Sequence, residues 1–375
     1  MHVAIVSPEF PPDIGGVETY ALEYCKALVS LGHDVTVYTM RHPLGELHID
    51  GIELKPLLKM HWHEDRRTLA DQKADAWHVM NAACAWLVED HPGLVVSVHG
   101  NDFLRPYYPL AQPDWKHLPG GWRMEDKQPR WLQPYWISRT ARLMERTLPR
   151  ARHILANSRY TEQALLNRLP ACTGRTSVAY VGVAEKFFGI ERQTQADGIS
   201  RLLTVCRLSE PRKNVESVLR ALAKLHGEFA FRYTIIGDGA DRERLQMLSH
   251  ALGLDDLVDF AGFVTQEELL EQYARANLFI LTSSIIPNSH EGFGIVYLEA
   301  AASGVPSLAA RLAGAAEAVK ENVSGMFVED PTPEALENAL RQFLNGSKRF
   351  DSDACRVFAR HFSWRRVVEH ALPYY

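Results

Sequence analysis

The feature that most constrains this chain is a repeated alternation of short apolar runs with amphipathic helical patterns. The second half shows it best, with apolar runs that read as strands at 202–207, 233–236, 258–261, 278–282 and 307–310. Helical patterns separate these runs at 215–226, 241–252, 266–275 and 295–303. Such alternation predicts a parallel, doubly wound sheet. A chain of 375 residues is too long for one hydrophobic core, so we expect two such domains.

The first half begins in the same way. Residues 3–7 predict a strand, residues 17–31 a helix and residues 35–39 a second strand, which together form a β-α-β unit. Residues 45–69 look irregular. A helical pattern over 74–88 then leads to a buried strand at 94–98.

Polar residues between 191 and 200 mark a linker. We therefore predict an N-terminal domain over 1–190 and a C-terminal domain over 191–355. A last helix over 356–370, within a terminal segment 356–375, is expected to pack back onto the first domain.

Composition narrows the class of protein. A formal charge of −5 argues against nucleic acid as the main partner, and the apolar content of 46% is that of an ordinary globular protein. The five cysteines are scattered and never form a C-x-x-C pair, so we expect neither disulfides nor zinc, and a cytoplasmic location. The sequence contains no run of 18 apolar residues, so we expect no membrane span.

Two carboxylates eight residues apart, Glu291 and Glu299, form the most informative motif. Glu291 lies in a glycine-flanked turn, and Glu299 lies in an alanine-rich helix predicted to begin just after Gly294. A helix N-terminus attracts anions, so this stretch suits a phosphorylated sugar. The alternative interpretation is a surface turn followed by a core helix.

Arg207 and Lys213 flank the turn that follows the strand at 202–207. Two cations at the carboxyl end of a strand form a site for a diphosphate. Gly237-Asp238-Gly239 is too short a motif to indicate a dinucleotide. The single D-x-D, at Asp351, lies far from the strand ends, so the sequence does not support a metal clamp.

Two further candidates lie in the first half. Gly15 and Gly16 precede the first helix, where backbone N–H groups can approach an anion closely, or where a glycine pair merely allows a tight turn. His99 follows the strand at 94–98, where ligands of open α/β sheets gather. A histidine there contacts substrate or makes a structural hydrogen bond.

Residues 103–153 form a basic, aromatic region, with ten Lys or Arg against four Asp or Glu. Such a composition suits an anionic membrane surface or an acceptor that carries an anionic lipid. Alternatively, Arg139, Arg142 and Arg146 lie on the solvent face of an ordinary helix.

Together, Glu291 with Glu299, Arg207 with Lys213, Gly15-Gly16 and His99 resemble the retaining GT-B glycosyltransferases of family 4. The likeness extends over nearly the whole chain. It implies an α/β fold of two Rossmann-like, doubly wound domains that face each other across a deep cleft, with the acceptor bound by 1–190 and the nucleotide sugar by 191–355. It also implies transfer of a hexose from a nucleoside diphosphate sugar with retention of anomeric configuration, and without a metal or other cofactor.

The resemblance also assigns roles to single residues. Arg207 and Lys213 would neutralise the leaving diphosphate, Glu291 would contact hydroxyls of the donor sugar, and His99 would lie near its C6 hydroxyl. Glu299 would bind the nucleotide ribose. Backbone contacts to sugar or phosphate would come from Gly15, Gly16, Phe293, Gly294, Ile295 and Val296.

Three positions depart from the family pattern. Ala184 stands where Asp or Asn is usual, Ala315 replaces the second glycine of a pair, and Asp102 lies further from His99 than in tighter His-Asp forms. A polar role at 184 is therefore not expected.

The resemblance predicts a GDP- or UDP-sugar donor, with mannose favoured, and a glycan or lipid-linked acceptor in cell-surface polysaccharide or glycolipid synthesis. The enzyme would be cytoplasmic and peripheral on the inner membrane face. One alternative is transfer from UDP-glucose or UDP-N-acetylglucosamine to a small molecule. Another is a non-catalytic regulator that binds nucleotide sugars.

Overall fold

The computed structural model describes residues 1–12, 15–41, 48–59, 62–106, 133–193 and 196–375. Contacts divide the chain into two compact units. Unit 1 comprises Met1–Val181 and Trp364–Tyr375, and unit 2 comprises Gly182–Ser363. The predicted domain boundary after residue 190 and the predicted linker over 191–200 therefore fall within unit 2.

Unit 1 contains a sheet of parallel strands in the order β3-β2-β1-β4-β5-β6-β7. These strands are β1 (His2–Val6), β2 (Asp34–Met40), β3 (Ile52–Leu58), β4 (Ala76–Val79), β5 (Val95–Val98), β6 (His153–Ala156) and β7 (Thr176–Val178). The helices are α1 (Gly16–Ser30), α2 (Trp62–Ala70), α3 (Asn101–Leu104), α4 (Gln133–Thr147) and α5 (Arg159–Arg168). The core lies between sheet and helices, because the central strands are buried on both faces.

Unit 2 contains a parallel sheet in the order β10-β9-β8-β11-β12-β13. Its strands are β8 (Ser200–Val205), β9 (Phe231–Ile236), β10 (Val258–Gly262), β11 (Leu278–Leu281), β12 (Ser307–Ala310) and β13 (Gly325–Val328). Its helices are α6 (Val215–Leu225), α7 (Arg242–Ala251), α8 (Gln266–Arg275), α9 (Ile295–Ala302), α10 (Ala315–Ala318), α11 (Pro333–Leu344) and α12 (Ser352–Ala359). Helix α13 (Trp364–Ala371) follows and belongs to unit 1.

The predicted fold class is confirmed: each unit is a Rossmann-like, doubly wound α/β sheet. In both sheets the first strand lies between the second and the fourth, so the strand order reverses beside β1 and beside β8. Ligands of such sheets bind outside the carboxyl ends of the strands at this reversal. The fold therefore predicts ligand sites at the loops after β1 and β4, and after β8 and β11.

Three local predictions are wrong. The helix predicted over 74–88 is strand β4 followed by a 3₁₀ segment, Ala82–Glu89, whose N-cap is Asn81. The region 45–69 is not irregular, since it contains β3 and α2. The single helix predicted over 356–370 is broken between α12 and α13, because Phe362 and Ser363 pair with Val183 as extended backbone.

Candidate active site

The loops after β8 and β11 meet in unit 2 at the reversal of strand order. The Ser284 N–H donates to the Arg212 carbonyl at 2.7 Å and joins the two loops. A 3₁₀ turn, Pro211–Lys213, places Arg212 and Lys213 at this junction. Asn214 ends the turn at φ 59°, and its side chain donates to the Pro331 carbonyl at 2.8 Å, so the turn is anchored at its far end.

A cluster of ionic hydrogen bonds forms around Glu291. Its Oε2 accepts from Lys213 Nζ at 2.7 Å, from Arg212 Nη1 at 2.9 Å and from Ser283 Oγ at 2.9 Å. We call Glu291, Lys213, Arg212 and Ser283 the Glu291 cluster. None of these three bonds engages Oε1, so that oxygen can accept hydrogen bonds from a ligand.

The cluster fixes the charge state of Glu291. Burial by itself would raise the pKa of this carboxyl, but the nearby Lys213 and Arg212 outweigh burial and hold the pKa well below its usual range. Glu291 is therefore a carboxylate at every pH of physiological interest. It can act as a hydrogen-bond acceptor but not as a proton donor.

Arg207 lies on the same loop as Lys213 and is exposed. Both residues line a cavity of about 250 Å³. The loop is held by Gly237 and Gly239, where an added Cβ would lie 1.9 Å from the Cys206 carbonyl oxygen and 2.4 Å from Leu208 backbone atoms. The G-x-G motif thus allows close packing between two backbone segments.

Helix α9 begins next to Glu291. Its N-cap, Gly294, has φ 88°, and an added Cβ there would lie 2.5 Å from the Tyr297 ring and 3.5 Å from Glu291 Cγ. Phe293 is buried, whereas Ile295 and Val296 are partly exposed in the first helical turn. The helix therefore presents its N-terminus beside the cluster, as the sequence predicted.

Glu299 lies one turn further along α9, on the same face as Ile295 and Val296. It is buried, and its Oε2 accepts from the Tyr273 hydroxyl at 3.2 Å. The turn before α9 also packs against Gly314, where an added Cβ would lie 1.9 Å from the Gly292 carbonyl oxygen. Ala315, noted above as a departure, is fully buried behind this contact.

Unit 1 holds the remaining candidates. Helix α1 begins at Gly16, with Gly15 as its extended N-cap. A Cβ built on Gly16 meets no described atom within 4 Å, so within the described part of the chain the backbone there borders open space. Packing within the described residues does not require glycine at this position.

His99 follows β5 and is partly buried. Its ring packs edge-on against Tyr20, with centroids 4.6 Å apart. Burial lowers its pKa, although Asp102 and a hydrogen bond to the Met80 carbonyl oppose that shift, so the ring is neutral at pH 7. The Nε2 atom is buried and, among the described residues, has no hydrogen-bond partner. Asp102 is engaged elsewhere: it accepts from the backbone N–H groups of His99 at 2.9 Å and Ala82 at 3.0 Å.

The structure thus gathers Lys213, Glu291 and Gly294 at one point of unit 2, places Arg207 on the same cavity as Lys213, and places Gly16 and His99 at strand ends of unit 1. Three residues that the sequence did not predict, Arg212, Ser283 and Tyr273, hold the two glutamates. Arg212 had a weak signal, since it directly precedes Lys213, but nothing in the sequence shows which side chain of the pair points inward.

Among the described residues, no three His, Cys, Asp or Glu side chains are grouped as metal ligands. No described helix combines the length and apolar character needed to cross a membrane. More than half of the basic, aromatic region, residues 107–132, lies outside the described residues. Helix α4 carries Arg139, Arg142 and Arg146, all three of which are exposed.

Comparison with known families matches both halves of the chain. The model for glycosyl transferases group 1 matches residues 190–355, and the model for Glycosyltransferase Family 4 matches residues 14–187. This chain is a family 4 glycosyltransferase. The resemblance inferred from the sequence is confirmed at the level of family and fold.

Individual relatives of this family 4 glycosyltransferase are distant. It is 25% identical over 377 residues to a GDP-mannose-dependent alpha-(1-6)-phosphatidylinositol monomannoside mannosyltransferase of Mycobacterium tuberculosis, covering 92% of this chain and 89% of the relative. Sucrose-phosphate synthase from Thermosynechococcus elongatus superposes with a TM-score of 0.78 at 19% identity, over 99% and 97% of the two chains. HepE from Anabaena, solved with UDP-glucose, gives 0.71 at 19% identity, over 100% and 98%. At such identities these structures establish only the GT-B fold.

Proposed function

We propose that this family 4 glycosyltransferase transfers a hexose from a nucleoside diphosphate sugar to a glycan or lipid-linked acceptor, with retention of anomeric configuration. The observation that carries the proposal is the contact of Lys213 with Glu291 at 2.7 Å. It joins a cation suited to phosphate and a carboxylate suited to sugar hydroxyls at the strand reversal, where doubly wound sheets bind ligands.

The donor diphosphate would lie beside Arg207 and Lys213, between the cavity that both residues line and the N-terminus of α9 next to Glu291. Both cations can form charge-assisted hydrogen bonds with phosphate oxygens. The N-terminus of α9, behind Phe293 and Gly294, would add favourable dipoles and backbone N–H groups. Backbone at Gly15 and Gly16 is the corresponding element of unit 1, and the open space beside Gly16 leaves room for phosphate.

The donor sugar and ribose would use the remaining acceptors. Glu291 Oε1 is unused by the cluster, so it would accept from sugar hydroxyls. The buried Nε2 of His99 has no hydrogen-bond partner among the described residues, so it would meet the C6 hydroxyl. Glu299 would bind ribose hydroxyls while its Oε2 accepts a hydrogen bond from the Tyr273 hydroxyl.

The transfer itself would proceed on one face of the sugar. The bond between C1 and the diphosphate oxygen breaks, C1 bonds to the acceptor oxygen on the same face, and the acceptor's proton passes to a phosphate oxygen. In this scheme Arg207 and Lys213 stabilise the charge that develops on the leaving group and no metal is needed. Matching anomeric configurations of donor and product by NMR, with undiminished rate in EDTA, are the expected results; an inverted product would contradict retention.

The donor is proposed to be GDP-mannose, with UDP-glucose as the alternative. The Mycobacterium tuberculosis relative is named for GDP-mannose, while HepE was solved with UDP-glucose. Thermal unfolding against a panel of nucleotide sugars tests this, because a ligand at 100 times its Kd adds about 2.7 kcal/mol to stability. Release of nucleoside diphosphate from the donor that stabilises most would then distinguish an enzyme from a non-catalytic binder.

We also propose that the region 103–153 contacts an anionic membrane surface. The exposed Arg139 and Arg142 on α4, with Arg146 one turn further on, support this. Neutralising all three arginines to Gln should reduce sedimentation with vesicles that contain phosphatidylserine. Unchanged sedimentation of the triple variant, with neutral vesicles as the control, would contradict the membrane contact and leave the transferase proposal intact.

A further inference from the structure

The two cations of the Glu291 cluster are placed differently. Lys213 lines the cavity that it shares with Arg207, whereas the described lining of that cavity does not include Arg212. The Arg212 side chain is 5% exposed and the Lys213 side chain 13%. One cation therefore borders the cavity beside Arg207, and the other is more deeply buried.

Arg212 is also held more firmly. Its Nη1 contacts Glu291 Oε2 at 2.9 Å, and its Nη2 contacts Glu210 Oε2 at 2.6 Å. Its carbonyl accepts from Ser284 N at 2.7 Å, which ties its backbone to the loop that carries Glu291. By contrast, within the described part of the chain Lys213 Nζ has a single ionic contact, to Glu291.

The position of Arg212 matters when a ligand binds to Lys213. If Lys213 binds a diphosphate, its ammonium group is shared with or withdrawn from Glu291. A buried carboxylate that loses its counter-ion is strongly destabilised. Arg212 and Ser283 remain on Glu291 Oε2 when Lys213 leaves, so the carboxylate keeps a charge partner.

We propose that Arg212 is a positioning residue, the permanent counter-ion of Glu291, which allows Lys213 to move from that carboxylate to the donor diphosphate. This inference rests on the proposed donor site. Arg212 acts through Glu291 and Lys213 and does not itself touch the donor.

A double-mutant cycle on nucleoside diphosphate binding tests the inference. The Kd of GDP and of UDP is measured by calorimetry for the unmodified chain, Arg212→Gln, Glu291→Gln and the double variant. A diphosphate without sugar is used so that the proposed contact of Glu291 with sugar hydroxyls does not enter. We expect Arg212→Gln to raise Kd at least tenfold in the unmodified chain but less than threefold in the Glu291→Gln background, because a neutral amide at position 291 needs no counter-ion and does not capture Lys213.

The controls separate this role from simpler ones. Arg341→Gln removes another arginine of unit 2 that lies between two glutamates, Glu228 and Glu337, and should leave Kd unchanged. Arg212→Lys, which restores a cation, should recover most of the lost affinity. If Arg212→Gln does not fold, the cycle is run with Arg212→Ala in the Glu291→Gln background and with Arg212→Lys in both backgrounds.

Two results would overturn the inference. Equal loss of affinity in both backgrounds would mean that Arg212 attracts the diphosphate directly, and no loss in either would mean that its role is only to support the fold. Failure of the unmodified chain to bind GDP or UDP is a different result: it would remove the proposed donor site and, with it, this inference.

Discussion

At the scale of single residues, the proposed donor site depends on Glu291, a carboxylate that is buried and yet charged. Glu291 is 8% exposed, and three donors converge on one of its oxygens. A buried ion pair of this kind adds little net stability compared with an apolar core, but breaking it leaves unpaired charges. Net stability alone therefore does not account for the Glu291 cluster, whereas the proposed donor site does.

Replacing Glu291 by Gln should destabilise the chain by about 3 kcal/mol at pH 7, because Arg212 and Lys213 lose their shared partner. The pKa of Glu291 is lowered in the folded state, so its contribution is complete above the unfolded value of about 4.3 and is lost as pH falls towards the folded value. The difference in unfolding free energy between the two chains should therefore shrink by about 1.4 kcal/mol per pH unit below about pH 4.

Urea unfolding at pH 7 and pH 3 measures this difference. Glu334→Gln is the control, because its carboxylate is exposed and paired only at the surface with Lys224. A difference between wild type and Glu291→Gln that stays the same at both pH values would show that folding does not change the pKa of Glu291, and would contradict its stabilisation as a carboxylate by Lys213 and Arg212.

At the scale of secondary structure, two helix starts carry the proposed contacts. Helix α1 begins at Gly16 beside open space, and α9 begins after Gly294 in a turn packed against Gly314. The reason for a glycine therefore differs between Gly16 and Gly314. At Gly314 the neighbouring backbone excludes a side chain, whereas at Gly16 the described protein leaves room for one.

Two alanine substitutions should separate these reasons. Gly16→Ala should leave stability within about 1 kcal/mol, since no described atom is near the added methyl group, but should lower donor turnover at least tenfold by occupying the space proposed for phosphate. Gly314→Ala should destabilise unit 2 by about 1–3 kcal/mol, because the methyl group must displace the Gly292 carbonyl. Thermal unfolding and initial rates on both variants provide the test; full turnover by Gly16→Ala would contradict the phosphate contact.

Secondary structure was predictable where the hydrophobic periodicity and the residues that cap or end an element agree. Helix α8 begins with a capping box at Thr265 and Glu268 and was predicted with its observed bounds. The segment 74–88 failed because it is apolar almost throughout. Strand β4 is buried at all four positions, so it shows no alternation, and the adjoining 3₁₀ segment extends the apolar run.

The site was predictable in part for a similar reason. The residues singled out by motif lie at strand ends, and topology alone brings such residues together. Arg212 could not be assigned, because adjacent residues of a 3₁₀ turn point about 120° apart and the sequence does not say which one faces inward. Tyr273 is equally hidden, since it reaches Glu299 from α8, a different helix.

At the scale of the whole molecule, the end of the chain contributes to the surroundings of His99. The Tyr375 hydroxyl contacts His78 Nδ1 at 2.6 Å and the Tyr24 hydroxyl at 2.7 Å. His78 Nε2 contacts Ser97 Oγ at 2.9 Å, and Tyr20 lies between Trp364 and His99 in edge-to-face contacts. Residues from both ends of unit 1 thus form one buried polar and aromatic network.

This network should make unit 1 sensitive to acid. Burial lowers the pKa of His78 to about 3, and the pKa of an unfolded histidine is about 6.5. The unfolded chain therefore binds more protons below pH 6.5, and His78 should cost about 3 kcal/mol of stability between pH 6.5 and pH 4. In His78→Gln this part of the acid dependence should disappear. Urea unfolding of both chains across this range is the measurement, and identical slopes would contradict the assignment.

The proposed function depends on Arg207 and Lys213, which would bind the diphosphate of a sugar donor. Its most direct test is the initial rate of nucleoside diphosphate release from the donor, with acceptor present, for Arg207→Ala and Lys213→Ala beside Arg341→Gln. The account predicts a loss of about 100-fold or more in each of the first two variants, roughly 3 kcal/mol of transition-state stabilisation, and no change in the third. Near-normal turnover in both alanine variants would contradict it.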